Sequence, residues 1–240
     1  MTTTTAPRVN AAPIALLYDI HGNLAALEAV VAEADRAGVR SYLLGGDYAA
    51  MGPWPRETVE VHESLPAAVR IRGNVDRWLR EEPEEPSPSA KAFLAAAMAA
   101  ARASLGAELS ARLYGLPEQA ELDGMLICHG SPVSDIESFA PQPQAGEERM
   151  LGGVAGRTIV FGHSHIQFRR AGPNGTSLVK PGSVGAPLDG DRRAAWALYV
   201  DGEIQFCRTA YDVERAAAKM RSYGDWAQPI VDRIEHGRDS

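Results

Sequence analysis

The chain has 240 residues, 45% of them apolar, and a net charge of −7 from 24 Lys and Arg against 31 Asp and Glu. That length accommodates one large domain or two small ones with a sizeable core. The acidic balance argues against nonspecific binding to nucleic acid or to an anionic membrane, because electrostatics dominates such binding.

Residues 1–12 are Thr-rich with a single Arg and no long apolar stretch, which predicts a disordered tail rather than a signal peptide or an anchor. No run approaches the roughly eighteen apolar residues of a membrane span, and no internal repeat stands out. Residues 14–18 predict a buried strand that ends in Asp19-Ile20-His21-Gly22-Asn23. Leu24, Leu27, Val30, Val31 and Ala34 then recur at helical spacing, with Gly38 as the stop. Ligands of open α/β sheets gather at such strand ends. Asn23 reads either as the helix N-cap or as a donor to a phosphate oxygen, since a helix N-terminus favours an anion.

Residues 39–44 predict a second strand closed by Gly45-Gly46-Asp47, followed by a rigid loop with Gly52, Pro53 and Pro55 and a helix over 56–65. Residues 68–71 predict a third strand ending in Arg72-Gly73-Asn74-Val75-Asp76, where Asp76 reads as an N-cap in preference to a catalytic group. Residues 81–89 are acidic, proline-rich and exposed in expectation. The Ala-rich stretch 91–105 predicts a helix and 107–114 a second one. Residues 81–116 thus form a helical excursion, read as packing surface rather than as a cofactor box.

Residues 125–128 predict a strand ending in His129-Gly130-Ser131-Pro132, and residues 142–153 are polar and then helix-compatible. Residues 158–161 predict a buried strand that runs into Gly162-His163-Ser164-His165. On a continuing strand two residues spaced by two point the same way, so both imidazoles reach one cluster. A hairpin follows around Pro173-Asn174-Gly175, then a glycine-rich turn from Lys180 to Gly185, then a hairpin of 194–200 and 203–209 around Asp201-Gly202. Two helices, 213–221 and 225–236, end the chain. Cys128 and Cys207 lie in apolar strand-like runs, which predicts free thiols in a reducing cytoplasm.

Asp19, His21, Asp47, Asn74, His129, His163 and His165 all stand at predicted strand ends, and they include four of the six histidines. His62 and His236 lie in helical contexts and read as incidental. One carboxylate between two sets of His, Asp and Asn is what a pair of cations requires. The mixed nitrogen and oxygen set without thiolate suits Mn²⁺, Fe, Zn²⁺, Co²⁺ or Ni²⁺ better than Ca²⁺. Two such ions clamp a phosphoryl group and lower the pKa of a water.

Asp-x-His, Gly-Gly-Asp, Gly-Asn-x-Asp, His-Gly and Gly-His-x-His occur here in the order seen in the calcineurin-like metallophosphoesterases, and the chain resembles the small prokaryotic phosphodiesterases of that superfamily. The resemblance spans Asp19 to His165 and extends to the glycine-rich turn at Pro181. It implies an α/β fold, a four-layer αββα sandwich of two mixed β-sheets flanked by helices, in one domain over residues 13–240. It also implies a dinuclear metal-dependent phosphoesterase, most simply a phosphodiesterase acting on phosphodiester or phosphoanhydride bonds by a metal-bridging hydroxide. Asp19, His21 and His165 would hold the first metal and Asn74, His129 and His163 the second, with Asp47 shared and Asn23 facing the phosphate. Mn is the favoured metal, and Asn23, Asp47, Asn74 and His129 are the expected catalytic set.

Many superfamily members carry His where this chain has Val75, and that His protonates the leaving oxygen or stabilises the transition state. Its absence points to diesters or anhydrides, because general-acid help is typically worth about 10²–10⁴-fold. Alternative readings are a dinucleoside polyphosphate hydrolase, such as a diadenosine tetraphosphate hydrolase, and a non-catalytic scaffold on the same fold. A nuclease fits the acidic balance poorly. Lys180 and Ser183 read either as substrate contacts or as solvated strand-end groups, and Arg72, Arg77 and Arg192 are equally open. The expected partner is a small phosphate-containing substrate, diester or nucleotide, with no membrane, no nucleic acid, and room for a homo-oligomer.

Overall fold

A computed structural model describes residues 12–84 and 87–239. The tail expected over residues 1–12 therefore lies outside the described residues except for Ala12. Three short strands, β1 (Ile14–Leu17), β2 (Ser41–Leu44) and β3 (Ala67–Arg70), pair in parallel. Parallel neighbours need a crossover, supplied by α1 (Leu24–Arg36) and α2 (Pro55–Ser64). Asn23 starts α1 by accepting the Ala26 N–H, and Pro55 opens α2 at the position where its missing N–H costs nothing.

After β3 come α3 (Asn74–Arg77) and α4 (Pro88–Tyr114). The backbone of α4 breaks at Gly106, with φ 73° and ψ 175°, so the two helices expected there are its two segments. Leu94, Met98, Ala101 and Leu105 form its buried stripe and join the core that also holds Val59 of α2 and Val75 of α3. The stretch Ala90–Tyr114 is long and apolar enough by mean hydropathy, 1.3, to cross a bilayer. A count of uninterrupted apolar residues overlooks this, because Lys91 and Arg102 interrupt the run. Within the same stretch Arg102 donates to the Trp78, Leu79 and Glu81 carbonyls and ties the helix to the chain before it.

The second sheet opens with a hairpin, β4 (Gln119–Leu122) and β5 (Met125–Cys128), around Asp123-Gly124. β4 escapes an apolar search because Gln119 and Glu121 are exposed; the Asp-Gly pair, left-handed at both residues, is its signal. β6 (Thr158–Val160), β7 (Phe168–Ala171) and β8 (Ser177–Lys180) complete this sheet in the order β4-β5-β6-β8-β7. β9 (Ala194–Val200) and β10 (Glu203–Thr209) return to the first, giving β10-β9-β1-β2-β3. Both sheets mix parallel and antiparallel pairs. The last helices are α5 (Val213–Arg221) and α6 (Gln228–His236).

Alternation along the strands sorts side chains into layers. Leu16, Tyr18, Leu43 and Ile71 of the first sheet face Met125, Ile127, Val160 and Val179 of the second. Ala15, Leu17, Tyr42 and Leu44 point the other way, into the layer of α1, α2 and α4. The outer face of the second sheet is covered more thinly. Residues 142–153 fold there as loop with one 3-10 turn, Glu147–Leu151, which buries Met150 and Leu151 on Leu126 and Phe161. The result is an α/β sandwich of two mixed sheets, with helices over the first and loop with a 3-10 turn over the second, and Tyr18 bonds across its middle to the Val160 carbonyl.

Candidate metal centre

The loops after β1, β2, β3, β5 and β6 converge at one edge of the sandwich. They bring together all seven ligand-type residues, though not by strand alternation. Asp19, His21, Asp47, His163 and His165 have φ of 53°, 47°, 58°, 74° and 59°. Each of these left-handed conformations costs a side-chain-bearing residue about 1–2 kcal/mol, and such strain collects at functional sites. The expectation that His163 and His165 ride on an extended strand is therefore corrected: β6 ends at Val160, and the backbone turns at each histidine.

The tautomers follow from the backbone partners. The Nδ1 atoms of His21, His129 and His165 lie 2.9, 2.8 and 2.6 Å from the carbonyls of Ala50, Gly45 and Ala186. A carbonyl only accepts, so each Nδ1 carries a proton, and in the neutral rings of His21 and His165 Nε2 presents a lone pair. The Nε2 atoms of His21 and His165 then meet at 3.0 Å with no proton between them. His129 Nε2 is buried without a hydrogen-bond partner. It stands 3.3 Å from Asp47 Oδ2 and 3.7 Å from Asp19 Oδ1. Asp47 Oδ2 is also 3.7 Å from His21 Nε2, and Asp19 Oδ1 is 3.6 Å from His165 Nε2. The facing lone pairs of His21 and His165, with two carboxylates beside them, fit a cation.

Two groups emerge whose ligand atoms lie within 4.8 Å of one another, Asp19 with His21 and His165, and Asp19 with Asp47 and His129. Both carboxylates thus stand between imidazoles of the two groups. His163 and Asn74 flank the second group. His163 Nδ1 lies 2.9 Å from Asn74 Oδ1, and its ring meets that of His129 edge-on at 5.7 Å. His163 alone of the seven is half-buried; the others are buried.

Protonation follows the same geometry. Burial lowers His21 and His165, and burial together with the charge on His129 brings His163 down to about 4, which keeps these rings neutral and ligand-ready. Burial also pulls on His129, but the Asp47 carboxylate outweighs it and pushes that ring up to about 10. Burial raises Asp19 to about 7. Without cations the cluster balances its charge with protons, which cations replace.

Buried supports hold the ligand loops. The Asp76 carboxylate accepts the N–H groups of Asp47, Tyr48 and Gly73 at 2.7, 3.1 and 3.0 Å. It caps nothing as an N-cap residue; Gly73 holds that position, and Asp76 reaches back from the first turn. Burial, with Asp47 adding, pushes it up to about 7 against those three bonds. Val75 donates its N–H to Asp47 Oδ1 at 2.9 Å. Lys180 is neither solvated nor a substrate contact. It is fully buried, and its ammonium donates to Ser138 Oγ, the Phe139 carbonyl and Ser164 Oγ, between the two histidines. Burial lowers it to about 7. Two glycines make room: a Cβ on Gly73 would stand 2.1 Å from Asp47 Oδ1, and one on Gly162 2.6 Å from Asp19 Oδ2.

Other candidates stand apart. The Asn23 amide is fully buried, with its oxygen on Ala26 N and its nitrogen on the Gly185 carbonyl. The cap reading holds, and the reading of Asn23 as a phosphate contact gives way to it. Ser183 Oγ donates to the Asp19 carbonyl and accepts from Ala186 N, so it braces the loop. Arg72 pairs with Glu118, Arg192 is exposed, and Arg77 lines a cleft beside His129. Val75 is buried and offers no proton. His62 packs on Tyr48 with centroids 4.3 Å apart.

Sequence and structure comparisons agree with this arrangement. An uncharacterized protein of Methanocaldococcus jannaschii is 26% identical over 228 residues, covering 86% of this chain and 91% of that protein. A metallophosphoesterase from Sphaerobacter thermophilus superposes with a TM-score of 0.77 at 27% identity, over 95% of this chain and 100% of that one. A hypothetical protein from Pyrococcus horikoshii OT3 shares the fold, with a TM-score of 0.78 at 23% identity over 96% and 100% of the two chains. The model of the calcineurin-like phosphoesterase superfamily domain matches residues 13–203, a span that contains every ligand-type residue above. On that match the chain belongs to the calcineurin-like phosphoesterase superfamily.

Proposed function

We propose that the protein is a metal-dependent phosphodiesterase that uses two divalent cations, with Mn²⁺ favoured. Asp19, His21 and His165 would hold one cation, and Asn74, His129 and His163 the other, with Asp47 between them. When bound, the pair supplies Lewis-acid stabilisation of the phosphoryl oxygens and a water of lowered pKa. The single observation that carries this reading is the pair of facing lone pairs on His21 and His165, 3.0 Å apart, beside an unpartnered His129 Nε2.

The chain's own residues do the rest. The carbonyls of Ala50, Gly45 and Ala186 keep three imidazoles in the tautomer that binds cations. The N–H of Val75 and the Asp76 carboxylate fix Asp47 and its loop. No proton donor stands at position 75, so the leaving oxygen departs best when it needs no proton. Diesters with stable leaving groups match that demand. Two free cysteines, Cys128 and Cys207, suit a reducing cytoplasm.

The test is hydrolysis of bis(p-nitrophenyl) phosphate by metal-stripped protein reloaded with Mn²⁺, with Asp47→Asn as control. Turnover that requires both the metal and Asp47 is the expected outcome. Turnover that persists after stripping, or in the variant, sinks the reading.

A further inference from the structure

A cleft of about 290 Å³ opens beside the metal centre, with His129 in its lining. The loop after β5, with Val133 and Asp135, forms part of its wall, and Arg77, Glu84 and Glu118 also line it. Of the seven ligand-type residues His129 alone lines the cleft, so the cleft adjoins the centre on the side of the group of Asp19, Asp47 and His129. It is at the lower end of small-molecule sites, roughly 300–1,000 Å³, the size of one small substituent.

Arg77 is the one guanidinium lining the cleft among the described residues, and its donors are taken. Its Nε and Nη2 fork onto Asp135 at 2.7 and 3.1 Å, and its Nη1 reaches Glu81 at 2.9 Å and Glu84 at 3.1 Å. Behind the wall, Arg72 pairs with Glu118. Of the charged side chains that line the cleft, one guanidinium faces three carboxylates, Glu84, Glu118 and Asp135, a net charge of −2. An arginine beside a phosphoesterase centre would ordinarily attract anions. Here it is neutralised, and the excess carboxylates repel a second negative group.

We propose that this cleft receives the ester arm retained on phosphorus and selects an uncharged or cationic alcohol there, an aminoalcohol diester being favoured and a dinucleoside polyphosphate disfavoured. The inference rests on the phosphodiesterase reading above and deepens it to a substrate class.

The test uses three p-nitrophenyl diesters that share one leaving group and differ in the retained arm: choline, its neutral isostere 3,3-dimethylbutanol, and the anionic 2-sulfoethanol. In each, water's oxygen forms the new P–O bond, the P–O bond to the aryl group breaks, nitrophenolate leaves as the anion, and water's proton goes to solvent. With Mn²⁺-loaded full-length protein at low salt, kcat/KM should fall from choline to dimethylbutyl to sulfoethyl, by about tenfold or more between the extremes. The ratio should shrink in 1 M NaCl, since salt screens exposed charges. It should also shrink in Asp135→Asn, which frees the Arg77 fork, and in Glu84→Gln, at an exposed residue whose replacement leaves the core intact. A flat or reversed order, or a ratio that neither salt nor either variant changes, overturns the inference while leaving the phosphodiesterase reading standing. Hydrolysis of none of the three, nor of bis(p-nitrophenyl) phosphate, overturns both.

Discussion

The loops of the first sheet contribute Asp19, His21, Asp47 and Asn74 to the centre, whereas those of the second contribute only imidazoles, His129, His163 and His165. Beneath each side lies one buried charge with no ion pair among the described residues. Asp76 collects three backbone N–H groups under the Asp47 loop, and Lys180 gives its three protons to two hydroxyls and a carbonyl under the His163–His165 loop. The two devices are mirror images in charge. A buried ion is tolerable when hydrogen bonds satisfy it, and each then fixes a strained ligand loop from below. The difference teaches that each sheet braces its own ligands, while the centre between them is what both sheets share.

The largest effect should come from removing a shared ligand on the oxygen side. Asp47→Asn should cost about 10³-fold or more in kcat on bis(p-nitrophenyl) phosphate, since cation stabilisation of the transition state is worth several kcal/mol. Retention of even a tenth of the activity would make the two sides independent and break the comparison. Next comes the contribution of the cations to stability. Mn²⁺ at about a hundred times its Kd should stabilise the fold by about 2.7 kcal/mol, read as a rise in urea midpoint that EDTA reverses. An unchanged midpoint would mean that the sheets dock without regard to metal.

A smaller effect concerns the layer behind the first sheet. Burial, with Arg70 adding, lowers His62 to about 3, and neither ring nitrogen has a partner. Below about pH 6.5 the unfolded chain takes up a proton that the folded chain refuses. Stability therefore rises with pH through this window and falls as pH drops from about 6.5 toward 3. At pH 5 the loss should be about 2 kcal/mol relative to pH 8. In His62→Phe that portion of the acid sensitivity should vanish; identical pH profiles in urea for the two proteins would discard the assignment. The smallest effects sharpen the comparison most directly. Asp76→Asn and Lys180→Met should each weaken Mn²⁺ binding by about tenfold or more, as support residues do, measured by isothermal titration. A variant that binds as tightly as the parent would mean that its sheet holds its ligands without the charge beneath.

The seven ligand-type residues were legible because each follows a short apolar run, and five parallel strand ends place such residues at one edge. The first-sheet crossovers were legible from 3.6-residue periodicity, as in α1, where Leu24, Leu27, Val30 and Ala34 are buried. What stayed hidden depends on groups far apart in the chain. Lys180 looks like any strand-end lysine until Ser138, 42 residues earlier, supplies an acceptor. Asp76 looks like a cap until the backbone of Asp47, 29 residues earlier, turns to meet it. The left-handed φ at Asp19 and His21 is equally silent, since neither residue is a glycine. β4 was hidden for another reason, its alternation being half polar.

β1 lies between β2 and β9, pairing Ile14 with Ser41 on one side and with Tyr199 on the other. The first partner leaves the ribosome soon after β1 itself, while the second is among the last strands made. For most of synthesis, then, an apolar strand has one bare edge, and such edges recruit other chains. Closing it spans nearly the whole sequence, and such distant closures are slow. The protein's most vulnerable moment is thus its own translation, and a chain stopped short of β9 should be found in aggregates or bound to chaperones rather than as a half-built enzyme.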